Sequence, residues 1–265
     1  MSINYRLTLA AGGVLIAAAA LAERGEAATL IGLTADATLV RIDTETRRAM
    51  PPLRVTGADG RLLGIDQRPQ DGKIYGVTDR GQIVTIDATS GAATQVSRLN
   101  MPFESGGRAV VDFNPVANRM RLMGMSGVNF RVNVETGEVV RDGELKYQAG
   151  STFAETQPRI VAGAYTNSMA GARATALFTI DTLIGALNLQ APPNDGVQQP
   201  RGMFGAILPA GVAFDILAGE GGANGGFVLA GGTLHRVNLE TGALSTVGAV
   251  SGLPQAEVID IAAMR

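Results

Sequence analysis

Three observations predict an all-β fold built from repeated four-stranded units. The stretch LIGLTADATLVRID, Leu30 to Asp43, is matched without a gap 44 residues later by IYGVTDRGQIVTID, Ile74 to Asp87. A polar turn of one pattern recurs four times, and the chain ends in a strand-like run, Glu257 to Arg265, with no hairpin after it. Together they describe a β-propeller of five four-stranded blades closed by pairing of its N- and C-terminal strands.

The repeated stretch is a hairpin. Gly32 matches Gly76, Thr34 matches Thr78, and Ile42-Asp43 matches Ile86-Asp87, so two short β-forming runs flank a tight polar turn. Each hairpin then enters a second turn: Asp43 to Arg47, Asp87 to Gly91, Asn133 to Gly137 and Asn238 to Gly242. The Asp or Asn oxygen accepts from the backbone two residues on, and the glycine takes the left-handed conformation that closes the turn. Arg47 stands where the other three turns have glycine, so the first turn is expected to be looser.

Upstream of each hairpin lies an opening strand with its own turn, as in Asp66-Gln-Arg-Pro-Gln-Asp-Gly-Lys73 and Asp112-Phe-Asn-Pro-Val-Ala-Asn-Arg119. Proline follows the Asp by three residues in both, and Gly72 corresponds to Asn118, two residue types that tolerate positive φ. Weaker copies occur at Val161 to Tyr165, Val212 to Ile216 and Val258 to Ile261. The third strands end near Asp43, Asp87, Asn133, Gln190 and Asn238, at spacings of 44, 46, 57 and 48. Asn188 to Gly211 and Ala218 to Gly226 break this period and read as long loops. The first unit lacks an opening strand and the chain end supplies one, which covers two edges that would otherwise be exposed.

Composition limits the function. The 265 residues include 35 glycines, which suit tight turns and weaken long helices. Residues 28–265 are read as a single propeller domain. A net charge of −2 offers no field that would gather nucleic acid. Only Lys73 and Lys146 are lysines, so nearly all positive charge is arginine. Residues 1–27 read as a secretory leader: Arg6 precedes an apolar run from Leu7 to Ala22, and small residues allow cleavage after Ala27 or Ala22. That run is shorter than the roughly 20 residues that span a bilayer, and no later segment spans, so the expected location is periplasmic or extracellular. No cysteine is present, which excludes disulfides and thiol catalysis.

From Val110 to Gly137 the chain resembles a bacterial family of exported proteins known only as a domain of unknown function, number four-three-nine-four. The resemblance is carried by Phe113-Asn114-Pro115, Arg119, Arg121, Asn129, Arg131, Asn133, Thr136 and Gly137. It extends to Ala164-Tyr165-Thr166-Asn167 and to Gln190-Ala-Pro-Pro-Asn194 with Gly196. It implies an exported repeat domain with no established reaction.

Two sets of residues are candidate sites. Asp66, Asp112, Asp215 and Asp260 occupy equivalent positions on opening strands, with Ala164 as the fourth unit's counterpart. Opening strands line a propeller's channel, so the four carboxylates would converge there and suit a hard cation such as Ca²⁺. The competing reading is that each bonds backbone in its own turn. Arg119, Arg121, Asn114 and Asn129 are the second set, a ligand site for an acid or sugar acid, since arginine forks match carboxylate geometry. Arg131, like Arg41 and Arg236, is expected to pair with an acid of a neighbouring unit.

No catalytic residue is assigned. His235, the only histidine, replaces Val40, Val84 and Phe130 of other units, an apolar packing position. Tyr75, Phe113, Tyr165 and Phe178 read as core aromatics, and Gly219 to Gly226 opens no helix and lacks the Lys-Ser or Lys-Thr of a nucleotide loop. The expected role is a monomeric ligand- or protein-binding module, its partner a small ligand or a protein. A carbohydrate-active hydrolase using channel carboxylates is the alternative. It requires a carboxyl pair facing across an open pocket at about 5–5.5 or 6.5–9.5 Å.

Overall fold

The computed structural model describes residues 28–264 except 206 and 210. The leader read at 1–27 lies outside the described residues. No helix among them is long and apolar enough to cross a membrane.

Five antiparallel sheets form the blades of a β-propeller. Their innermost strands, taken from the second blade to the fifth and then the first, are Leu62–Gln67, Ala109–Asn114, Ile160–Tyr165, Val212–Ala218 and Val258–Met264. Each contacts the next, and Val258–Met264 contacts Leu62–Gln67, which completes the ring. Neighbouring blades cover both faces of an inner strand, so these strands read as near-continuous Leu, Val, Ile, Ala and Phe rather than as alternation. Outer strands face water, and the second blade's outer strand, ATQVSR at Ala93–Arg98, is correspondingly polar. Large apolar clusters fill the junctions between blades; Tyr75 of the second meets Phe113 of the third edge to face at 5.4 Å.

The ring closes as the sequence predicts. Thr29–Thr34 runs antiparallel to Val258–Met264, from Thr29 opposite Met264 to Thr34 opposite Val258. The first blade therefore takes its inner strand from the chain end and its next two strands, Thr29–Thr34 and Thr38–Asp43, from the start.

The polar turns have the expected chemistry. The Asp87 carboxylate accepts from the N–H groups of Thr89 and Ser90, Asn133 from Glu135, and Asn238 from Glu240 and Thr241. Gly137 has a φ of +77°, and a Cβ there would lie 1.8 Å from the carbonyl oxygen of Arg98 in the preceding blade. Glycine is thus required twice, for its backbone conformation and for blade contact. Arg47 adopts the same left-handed conformation at +53°, with the Asp43 carboxylate accepting from the Thr46 N–H at 2.7 Å. The first turn therefore keeps its geometry. The irregularity lies after it, where Pro51-Pro52 separates the two-residue strands Arg48–Ala49 and Leu53–Arg54.

The span from Asn188 to Gly211 differs from the expected loop. Strand Ala186–Gln190 continues into it, a 3-10 turn spans Pro193–Asp195, and Val197–Met203 is the fourth blade's outer strand. Glutamines and Pro200 disguise that strand in sequence. Pro200 is tolerated because it pairs with Asn188 beside a bulge, where a ladder bond is already interrupted. Lys146–Tyr147 adds a fifth, parallel strand outside it. Between Ala218 and Gly226 the expected loop is shorter than the sequence suggests: only residues 219–223, with a 3-10 turn at Glu220–Gly222, connect Val212–Ala218 to Asn224–Ala230.

Candidate functional site at the channel and its entrance

The four opening-strand aspartates all lie on the inner strands and are between 2% and 7% exposed. Each fastens one blade to the next. Asp66 of the second blade accepts from the Phe113 N–H of the third at 2.8 Å, and Asp112 of the third from the Tyr165 N–H of the fourth at 2.9 Å. Asp215 of the fifth accepts from the Ala263 N–H of the first, and Asp260 of the first from the Ile65 N–H of the second at 2.9 Å. Asp66, Asp215 and Asp260 also accept from the N–H of the residue that follows them. Their backbone bonds thus reach across blade junctions as well as locally. Ala164 supplies no carboxylate to the remaining junction, between the fourth and fifth blades, which is held by an apolar cluster that includes Phe214 and by hydrogen bonds between Asn167 and Asn224.

The same placement concentrates charge. One carboxylate oxygen each from Asp66, Asp112 and Asp215 lie within 4.8 Å of one another. Burial pushes the carboxyls of Asp66, Asp112 and Asp260 well above the ordinary carboxylate range, and the neighbouring carboxylates push them further. Asp215 is raised to about 6, again through burial, with the Ala263 and Ile216 N–H groups opposing the rise. Such a cluster either holds protons or accepts a cation, because several bare charges at this spacing repel strongly.

The arginine and asparagine set is distributed among different environments. Arg121 is 1% exposed and donates to Tyr165 Oη at 3.1 Å, Asn129 Oδ1 at 2.8 Å, Asp142 Oδ2 at 2.7 Å and Asn194 Oδ1 at 2.9 Å. Asn129 in turn donates to the carbonyls of Gly143 and Pro193. These residues tie the third blade to the fourth blade's 3-10 turn, beside a small apolar cluster that includes Val110, Met123 and Leu145. Arg131 forms a two-pronged pair with Asp142 at 2.7 and 2.8 Å, an acid just past its own blade's outer strand rather than in a neighbouring unit. Asn114 caps its own turn through the Val116 and Ala117 N–H groups. Arg119 is exposed and donates to the Asn118 carbonyl. The structure therefore brings Arg121 and Asn129 together and leaves Asn114 and Arg119 outside their network.

Sequence reasoning missed a ring of charges at the channel entrance, the end where the inner strands begin. Arg61, Arg108, Arg159 and Glu257 each directly precede an inner strand, and Gly211 fills the fifth position. Extending the repeat alignment one residue upstream of each opening strand exposes this pattern. The Arg108 guanidinium bridges blades by donating to Glu257 at 2.9 Å, the Val212 carbonyl at 2.8 Å and the Ile259 carbonyl at 3.0 Å. Beside it opens a cavity of about 610 Å³, bordered by Arg108, Arg159, Glu257, Met125, Thr182 and Leu208. Met125 and Thr182 come from hairpin tips and the other four from segments that lead into inner strands, so several blades meet here. Asp260 lies three positions on from Glu257, about 10 Å along a strand, which sets the carboxylates deeper than this cavity.

The other single-residue expectations fall on packing positions. Tyr75, Phe113, Tyr165 and Phe178 are buried. His235 is half-buried, its Nδ1 3.2 Å from Thr246 Oγ1, and desolvation holds its pKa below the usual value.

Among solved structures the chain is similar to a structural genomics protein of unknown function from Bacteroides thetaiotaomicron VPI-5482. That match has 15% identity and a TM-score of 0.50, covering 88% of this chain and 63% of the other. A protein of unknown function from Bacteroides caccae matches at 12% identity and a TM-score of 0.44, over 84% and 73% of the two chains. A streptogramin B lyase matches at 11% and 0.45, over 86% and 66%. This chain thus spans roughly two thirds of those structures' own length, and the likeness at 15% identity is one of fold. No curated protein matches the sequence. The sequence pattern of one family matches residues 38–262, most of the propeller, and the chain belongs to that family, described as a domain of unknown function (DUF4394).

Proposed function

We propose that this protein is an exported binding module that takes its ligand at the channel entrance. The observation that carries this reading is the 610 Å³ cavity at the meeting point of several blades, within the size range of small-molecule sites. Rigid inner strands position its rim and loops supply its lining, a division of labour common in binding sites. The hydrolase alternative has no comparable support. Its candidate carboxylates are buried, pinned by backbone N–H groups and crowded within 4.8 Å in the case of three of them, not spaced across an open pocket. Thr182→Trp would fill the cavity from a half-buried hairpin tip. In a thermal-shift screen of small metabolites, at least one compound is expected to raise the wild-type Tm by about 3 °C and to lose that effect on Thr182→Trp. Hits that stabilise both proteins equally would place binding elsewhere and sink this reading.

A second reading concerns the axis. Three carboxylate oxygens within 4.8 Å of one another suit one Ca²⁺, which takes oxygens at roughly 2.3–2.6 Å and would offset the burial, and for Asp66 and Asp112 the added repulsion, that raises their pKa values. Asp260 would supply further negative charge nearby. In this reading the cation is structural, reinforcing the blade junctions beneath the entrance.

A further inference from the structure

Next to the entrance cavity lies a second one of about 310 Å³, with Thr182 and Leu208 bordering both. The second cavity is lined by Leu183, Ile184, Phe204 and Ile207. Leu183, Met203 and Ile207, which also borders it, are 53%, 52% and 99% exposed, three of the seven large apolar side chains that stand exposed among the described residues. Their gathering at one cavity, beside a charged rim, is what a single amphiphilic molecule would need.

The rim has a sign. Among the residues that directly precede the inner strands, three are arginines, Arg61, Arg108 and Arg159, and one is an acid, Glu257. Arg61 lies 3.7 Å from Asp79, and Arg108 is held by Glu257 and two carbonyls. Arg159 is exposed, borders the larger cavity, and makes no ion pair among the described residues. Its own backbone N–H donates to the buried Asp181 carboxylate at 2.9 Å, which anchors the residue at the cavity's edge. An uncommitted guanidinium beside an apolar surface recognises a carboxylate carried on an apolar body.

We infer that the entrance binds a small amphiphilic acid, its carboxylate on Arg159 and its apolar chain along Leu208, Leu183 and Ile207. This rests on the binding-module reading and narrows it to a ligand class. A neutral apolar molecule would fill the same surface without using Arg159, and a short acid would meet the arginine without covering the apolar residues.

Octanoate, octanol and acetate separate these cases by isothermal titration calorimetry on the purified protein. Octanoate is expected to bind at least about tenfold more tightly than either of the others, since one charge-assisted bond and several buried methylenes each contribute on that scale. Arg159→Gln is expected to bring octanoate down to the level of octanol, Arg159→Lys to restore part of the difference, and Ile207→Ser to weaken octanoate and octanol together. The Tm of each variant should stay near wild type, as both side chains are exposed. Equal binding of octanol and octanoate, both weakened by Leu208→Ser, would overturn the acid while leaving the entrance a binding site. No binding of any of the three would also overturn it; if the metabolite screen were empty as well, the module reading would fail with it.

Discussion

The carboxylate of Asp66 leaves its own blade to accept the Phe113 N–H of the next at 2.8 Å, and Asp112 repeats the step one blade on by accepting from Tyr165 at 2.9 Å. A residue that marks the sequence repeat is therefore also the fastening between repeats. Removing the acceptor leaves a buried backbone N–H without a partner, which costs about 1–3 kcal/mol. Asp66→Ala is expected to lose stability in that range by urea unfolding. A loss below about 0.5 kcal/mol would show that the junction does not depend on this bond.

The pH dependence follows from the same group of residues. Asp215 is raised to about 6 from an ordinary value of 3.8, so the folded protein holds a proton that the unfolded chain releases. Its contribution is fully present below about pH 4 and is lost as pH rises through about 6. Asp66, Asp112 and Asp260 shift in the same direction and add to the loss as pH rises. In the presence of a chelator, Tm is expected to fall between pH 4 and 7, and Asp215→Asn to flatten that fall. A Tm that rises over this interval in the wild type, with Asp215→Asn unchanged, would contradict the assignment.

Calcium should oppose that fall. Millimolar Ca²⁺ at pH 7 is expected to raise Tm by about 3 °C or more over EGTA, with the gain lost in Asp112→Asn. Identical melting curves in Ca²⁺ and EGTA would remove the cation from the account.

Arg121 and Arg119 separate a buried network from an exposed side chain two residues away. Arg121→Met leaves Asp142 to Arg131 alone and deprives the buried Asn129 and Asn194 oxygens of a donor, a change expected to cost about 1–3 kcal/mol or more. Arg119→Ala is expected to stay within about 0.5 kcal/mol. Similar losses in the two variants, measured by urea unfolding, would refute this division.

Ring closure makes the chain end indispensable. Deleting residues 258–265 removes the inner strand of the first blade, with Val258, Ile259, Ile261 and Ala262 all buried, and burial of each larger side chain is worth about 1.5–3 kcal/mol. The truncated chain is expected to lose its near-ultraviolet circular dichroism at 25 °C. A retained spectrum with a sharp thermal transition would mean that four complete blades suffice.

Features that depend on the repeat itself were legible in the sequence: the hairpins, the turns at Asp87, Asn133 and Asn238, the terminal strand pairing, and the equivalence of Asp66, Asp112, Asp215 and Asp260. Features that depend on differences between blades were not. Asp142 and Asn194, which complete the Arg121 network, lie outside the repeated positions and come from segments 52 residues apart. Val197–Met203 was hidden because its buried Gln198 is satisfied by Thr179 and Gln190, polar pairing that hydrophobic patterning does not register. The entrance cavity draws on Arg108, Met125, Arg159, Thr182, Leu208 and Glu257, single residues of different loops that only blade closure brings together.

The binding reading is tested most directly by what becomes of a ligand once bound. Equilibrium dialysis of the best-stabilising compound from the metabolite screen, followed by mass spectrometry of both compartments, measures stoichiometry and chemical fate together. The expected result is one molecule per chain, recovered unchanged after prolonged incubation and retained far less by Thr182→Trp. Conversion of the compound to product by the wild type, abolished in Thr182→Trp, would contradict a binding role and make the channel entrance an active site.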